Sequence, residues 1–246
     1  MTAWSGHSGR ADSASRSLPP TSLEQAHDAL GDYFAQWVSK YDTRRRIEVL
    51  VDAFLSDHMI RGKAVLDVGC GLGFFSRRLK ERGADVTACD IGHNLVERVR
   101  REVGCRCETA DALRLVEHFG REVFDTVVSS ECIEHTRSPQ RAVEQMIGVL
   151  RQGGHISLST PNRLWQPVVR TATALRLRPY CGRENFSTWR GLRRLMRRNG
   201  VSVLREHGLH LWPFQLGFHR LSTWCDANTQ FLRPLMVNIC MLGRKL

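Results

Sequence analysis

The period of the apolar positions changes sharply along one stretch, and the rest of the chain follows the same grammar. Residues 64–68, Ala-Val-Leu-Asp-Val, are a short β-branched and apolar run with one aspartate inside it, the pattern of a buried strand. The run breaks at Gly69-Cys70-Gly71-Leu72-Gly73 and resumes with Phe74, Phe75 and Leu79 among Arg77, Arg78, Lys80 and Glu81. That spacing predicts an amphipathic helix, which Gly83 ends. A second strand over 85–89 runs into Asp90. Further on, the same reasoning predicts helices over 94–102, 139–150 and 188–199. It predicts strands over 105–108, 124–130, 155–160, 201–207 and 235–243, with Gly153-Gly154 as the turn into the strand at 155. Strands alternating with helices of this length imply a parallel, three-layer α/β sheet in the region 61–246.

Upstream, Ser22-x-x-Gln25 makes a capping box for a helix over 23–38, with Leu23, Ala26, Leu30 and Trp37 at helical spacing. A second helix over 43–56 opens with Arg44, Arg45 and Arg46, a positive start that opposes the helix dipole and hints that something acidic meets those arginines; a solvated face is the simpler reading of it. Residues 21–60 therefore form an N-terminal helical segment, laid across the sheet or serving as a lid. Residues 1–20, rich in Ser, Gly and Pro, are expected to be disordered. Two insertions interrupt the α/β pattern. The first, 161–186, carries Leu164, Trp165, Val168, Val169, Ala172 and Leu175 at helical spacing beside several arginines. The second, 208–233, is aromatic, and its Trp212, Phe214, Phe218 and Trp224 could line an apolar pocket or a homodimer contact.

Charge narrows the partners. A formal net charge of +11 favours an anion: nucleic acid, an acidic lipid surface, or a carboxylated or phosphorylated small molecule. No apolar stretch reaches the ~20 residues that span a bilayer. The 8 cysteines include no Cys-x-x-Cys pair, and Cys105-x-Cys107 reads as strand packing, so a reducing, cytoplasmic setting is expected.

Gly69, Gly71 and Gly73 bare the backbone between a strand and a helix, where a ligand can approach without meeting a Cβ. Asp90, about twenty residues on at the next strand's end, is placed to accept from both hydroxyls of a ribose. The glycines alone match neither the dinucleotide fingerprint nor a P-loop. At the mouth of the same crevice the fourth strand runs out into Ser129-Ser130-Glu131-Cys132-Ile133-Glu134-His135. If a helical turn starts there, Glu131, Glu134 and His135 share one face, an arrangement suited to a divalent Mg, Mn, Zn or Fe ion.

The string VLDVGCGLG with CD at this distance resembles the S-adenosyl-L-methionine (SAM) site of the class I methyltransferases, over roughly residues 44–207. The resemblance implies a Rossmann-like, seven-stranded sheet with a terminal antiparallel hairpin, and S-adenosyl-L-homocysteine (SAH) as product. It implies a cofactor set of Asp67, Gly69, Gly71, Gly73, Asp90, Ile91, Asp111, Ala112 and Ser130. In that family the glycine loop lies against the methionine part, the Asp90 position holds the ribose, and the Asp111-Ala112 position sits beside the adenine. The segment SSECIEHTRSPQRAVEQMIGVLRQGGHISLSTPNR is similar to the ubiquinone-biosynthesis O-methyltransferases, and Glu-x-x-Glu-His alone is similar to small-RNA terminal 2′-O-methyltransferases. Both imply Glu131, Glu134 and His135 as metal ligands with a later histidine. Here Cys181 stands near that later position. His135, with Glu131, thus remains a candidate catalytic group with a metal, as a metal-free base, or in a structural role. The expected activity is O-methylation of a small aromatic or polyketide-like acceptor, with peripheral membrane contact through 161–186. An RNA 2′-O-methyltransferase and a non-catalytic SAM-binding protein are the competing readings.

Overall fold

The computed structural model describes residues 40–175, 184–211 and 218–246. Seven strands, β1 (Ala64–Val68), β2 (Asp85–Asp90), β3 (Arg106–Thr109), β4 (Phe124–Ser130), β5 (Leu150–Pro161), β6 (Val201–Leu209) and β7 (Asn238–Lys245), form one sheet in the order β3-β2-β1-β4-β5-β7-β6. The first five are parallel, and β7 runs antiparallel between β5 and β6. This is the Rossmann-like seven-stranded sheet with an antiparallel terminal pair that the sequence implies. Strand order reverses between β1 and β4, so the crossovers diverge there and leave a crevice at the carboxyl ends of those two strands.

The helices are α1 (Lys40–Ile47), which continues as a π-helical turn (Glu48–Ala53), then α2 (Asp57–Ile60), α3 (Phe74–Glu81), α4 (His93–Val103), α5 (Leu115–Phe119), α6 (Pro139–Val149), α7 (Gln166–Ala174), α8 (Trp189–Arg198) and α9 (His219–Asn228). Side-chain alternation assigns the two faces of the sheet. Val65, Cys240 and Leu242 pack with Leu50, Phe54, Phe75 and Leu79 on one side. Leu66, Val68, Ile239 and Met241 pack with Met146, Leu192 and Met196 on the other. Both layers are buried, which fixes the register and holds the strand ends rigidly around the crevice.

Several expectations are corrected. The helix expected over 43–56 already runs at Lys40, the first described residue, so the three arginines do not open it. They are not a solvated face: Arg44 is exposed, but Arg46 is buried and Arg45 nearly so. Their acidic partners, Asp42 and Asp226, are identified only in three dimensions. Gly153-Gly154 lies inside β5, which begins at Leu150; the register shifts there, and Gly153 takes φ +75°. The last strand starts at Asn238, because a 3₁₀ turn (Gln230–Leu235) uses Pro234 first. α5 and α9 were not foreseen. Leu164, Val168 and Leu175 around α7 are exposed, as are Phe218 and Trp224, so the last two do not line an enclosed pocket among the described residues. The expected tail over 1–20, the helix over 23–38, Cys181, Trp212 and Phe214 lie outside the described residues.

Candidate active site

The three glycines after β1 all have positive φ, but each is required for a different reason. A Cβ on Gly69 would lie 2.6 Å from Cys132 Sγ, so this residue lets the loop pass beneath the end of β4. A Cβ on Gly73 would lie 3.0–3.3 Å from Val99 and Val103, so this residue lets α3 pack against α4. A Cβ on Gly71 would meet nothing within 4 Å. Only here does the bared backbone face open space, as a cradle for a ligand requires.

Asp90 closes that cradle. Its Oδ2 accepts from the Gly71 backbone N–H at 3.0 Å, and its Oδ1 from that of Gly92 at 3.0 Å. A carboxylate has about four lone-pair sites, so each oxygen thus anchored can still accept a hydroxyl. Asp67, buried in β1, accepts from Ser76 Oγ at 2.5 Å and so fastens α3 to the strand. Burial pushes its pKa up to about 6, against the Ser76 bond and aided by the charge of Asp90. Asp67 is therefore a brace beneath the glycine loop. Ile91 follows Asp90 and is half-buried. Asp111 and Ala112 follow β3, and Asp111 Oδ1 caps its own turn by accepting from the Leu113 N–H at 2.8 Å.

The end of β4 differs from the expected helix face. Glu131 stands in the left-handed region, φ +52°, and only Ile133–His135 form a 3₁₀ turn. The spacing argument assumed one continuous helical turn, and the left-handed residue breaks it. Glu131 Oε1 turns back to accept from Ser159 Oγ at 2.8 Å, while Ser130 Oγ accepts from Arg46 at 2.7 Å. Glu134 is buried with Oε2 3.3 Å from Thr160 Oγ1. His135 is partly exposed, its Nε2 3.9 Å from Glu134 Oε1. The proposed metal set Glu131, Glu134 and His135 therefore does not converge on one point. Among the described residues no group of three or more His, Cys, Asp or Glu side chains could hold a metal ion. Burial raises the pKa of both glutamates; the charge of Glu131 adds to this at Glu134, and Arg46 opposes it at both. Of the pair, Glu134 is the more strongly raised, because the charge of Glu131 adds to its burial.

Sequence reasoning missed Arg46. Its guanidinium donates to Asp42 Oδ2 at 2.8 Å as well as to Ser130, and it lies near the charges of Glu131 and Glu134. A positive charge is thus buried at the mouth of the crevice, with its Nε lacking a hydrogen-bond partner. No local signal marks it, because helical arginines are usually solvated.

A methyltransferase-domain family model matches residues 40–206. Among proteins of known name, the chain is 36% identical over 135 residues to a ubiquinone biosynthesis O-methyltransferase of Azotobacter vinelandii, covering 51% of this chain and 56% of that protein. It is 32% identical over 111 residues to the protein of that name in Coxiella burnetii, covering 42% of this chain and 46% of that one. The chain thus spans about half the length of the curated relatives it matches. Among solved structures, a possible histamine N-methyltransferase from Thermotoga maritima superposes with TM-score 0.67 at 15% identity, over 91% of this chain and 100% of that one. A SAM-dependent methyltransferase from Mesorhizobium loti superposes with TM-score 0.63 at 19% identity, over 81% and 98%. The sheet, the crevice at its switch point and the family match agree: the chain belongs to the methyltransferase-domain family.

Proposed function

We propose that the chain binds SAM in the crevice between β1 and β4 and methylates a hydroxyl of a small, fairly apolar aromatic or polyketide-like acceptor. The observation that carries this reading is the pairing of Gly71 with Asp90, open backbone beside an anchored carboxylate at the end of β2. When bound, SAM supplies a sulfonium methyl that an oxygen lone pair attacks in line, leaving SAH. In this reading Asp90 takes the ribose hydroxyls, Gly69, Gly71 and Gly73 hold the methionine part, and Ile91, Asp111 and Ala112 border the adenine. Arg46 meets the cofactor's carboxylate, and Ser130 holds Arg46 in place. Alignment of acceptor and methyl can supply ~7–11 kcal/mol of the barrier. His135 takes the acceptor's proton, and Glu131 keeps Arg46 compensated. No step is assigned to a metal, because Glu131, Glu134 and His135 do not converge. The names of the relatives support oxygen as the acceptor atom.

Incubation with labelled SAM and a panel of catechols and polyketide phenols tests the reaction. Label should enter a small phenol, and treatment with chelator followed by readdition of divalent metal should leave the rate unchanged. Label entering RNA but no small acceptor would contradict the proposed substrate class.

The glycine assignments separate in a second experiment. Gly71→Ala should weaken SAH binding while shifting stability little beyond its backbone strain, of order 1–3 kcal/mol. Gly73→Ala adds to that strain a tight contact with Val99 and Val103, so it should lower the melting temperature further. Equal effects of the two changes on stability and binding would remove the distinction.

Contact with a membrane surface is proposed for α7. Leu164, Val168 and Leu175 are exposed near Arg163 and Arg170, a combination that suits an anionic bilayer face. Co-sedimentation with phosphatidylglycerol vesicles but not with phosphatidylcholine vesicles is expected; equal behaviour with both would end this part. Among the described residues no helix is long and apolar enough to cross a membrane.

A further inference from the structure

Arg46 does not stand alone. The Asp42 carboxylate that holds it also receives a second residue from the far end of the chain: His210 Nε2 lies 2.8 Å from Asp42 Oδ1. His210 follows β6, is fully buried, and takes φ +63°. A left-handed conformation at a non-glycine residue persists only where its surroundings over-determine it. Here the His210 carbonyl accepts from the Val237 N–H at 3.2 Å, and its Nδ1 side faces Asp226 Oδ2 at 4.0 Å. Asp226, on α9, is itself fully buried; its Oδ1 accepts from the Leu211 N–H at 3.1 Å, and Arg45 lies 3.9 Å from its Oδ2. Tyr41, one turn of α1 away from Arg45, hydrogen-bonds Thr223 and stacks on His219 at 4.0 Å between ring centroids.

Buried charges are costly unless each is compensated, and here the compensation is shared among α1, the segment after β6, α9 and the end of β4. Burial works against the Asp42 charge, yet the Arg46 guanidinium and His210 hold its pKa down at about 2. The carboxylate that aims Arg46 therefore stays ionised throughout the physiological range. A chain of contacts runs from the second insertion to the cofactor crevice: Asp226, His210, Asp42, Arg46, then Ser130 beside Glu131.

We propose that His210 and Asp42 are positioning residues of the transfer site, fixing the Arg46 guanidinium against the end of β4 so that cofactor affinity depends on a side chain of the 208–233 insertion. The consequence is that the segment after β6, α9 and α1 are set together. An insertion displaced from its seat would loosen Arg46 and, through it, the grip on the cofactor. This inference rests on the proposed SAM-binding reading and extends it to residues outside the glycine crevice.

SAH titrations by calorimetry on the full chain test it, with wild type, His210→Leu, His210→Gln, Asp42→Asn, and each change repeated in an Arg46→Ala background. His210→Leu should weaken SAH binding about tenfold, the scale of one hydrogen bond to a charged group. His210→Gln, whose amide can donate from near the position of Nε2, should recover most of that loss. In the Arg46→Ala background His210→Leu should change affinity by less than about twofold, because its effect passes through Arg46. A role confined to stability would move the melting temperature but would show neither the glutamine rescue nor the dependence on Arg46. If His210→Leu does not fold, the nearly isosteric Asp42→Asn carries the same comparison. Wild-type affinity in the His210 and Asp42 variants, or an equal loss with and without Arg46, overturns the proposal while leaving the SAM reading intact. A wild-type chain that does not bind SAH overturns the SAM reading and this inference with it.

Discussion

Asp90→Ala is expected to weaken SAH binding by at least about 100-fold. Two hydroxyls accepted by one carboxylate are charge-assisted bonds, each worth roughly 1.5–3 kcal/mol, and together they exceed the 2.8 kcal/mol or so that a hundredfold requires. The loss has a second source. Asp90 is already bonded to the N–H groups of Gly71 and Gly92, so alanine also unties the loop that bares its backbone to the ligand. Asp90→Asn separates the two contributions. It keeps a carbonyl oxygen for one of the backbone donors and removes the charge, so its affinity should fall between wild type and alanine. Calorimetry reads both. An alanine variant that binds SAH as tightly as wild type would take Asp90 out of the site.

His135→Ala is expected to lower kcat by about 10²–10⁴, the usual contribution of a positioned proton acceptor, while leaving SAH affinity within about threefold. A phenolic oxygen attacks well only as its proton leaves. His135 is partly exposed just beyond the end of β4, and its neighbour Glu134 is buried, with its pKa raised by burial well above the usual carboxylate range. Glu131 is turned back to Ser159 and Glu134 is buried beside Thr160, which leaves the imidazole as the acceptor. The pH dependence has a definite sign. A phenol ionises near pH 10 on its own, so raising the pH should restore much of the rate in the alanine variant and little in wild type. Equal kcat in the two proteins, or a variant whose deficit stays constant with pH, would remove His135 from proton transfer.

The sheet was legible in the sequence because its signals are local. Ala64–Val68, Asp85–Asp90 and Phe124–Ser130 are apolar runs whose ends coincide with glycine, acid or serine punctuation, and their burial on both faces leaves no other register. The glycine loop and Asp90 were legible for the same reason. The structure then adds that Gly69 and Gly73 serve packing, whereas Gly71 opens to the crevice.

What local reading missed depends on contacts between distant segments. Arg46 looks like any surface arginine until Ser130, 84 positions away, comes within 2.7 Å of it. Asp42 and His210 are 168 positions apart. The metal set failed for a different reason. An i, i+3, i+4 pattern guarantees a shared face only inside a continuous helix, and the left-handed Glu131 at a strand end carries that side chain to Ser159 instead. The aromatic second insertion concealed α9, because its apolar residues lack a helical stripe: Ser222 and Asp226 are the buried residues of that helix, while Leu221 and Trp224 are exposed.

The most direct test is a crystal structure of the chain grown with SAH. The prediction is an adenosyl group seated between the ends of β1 and β4, both ribose hydroxyls on Asp90, and the ligand's backbone-facing edge against Gly71. A crevice left empty at saturating SAH, or filled by the protein's own side chains, would contradict the claim that this loop is shaped to hold the cofactor.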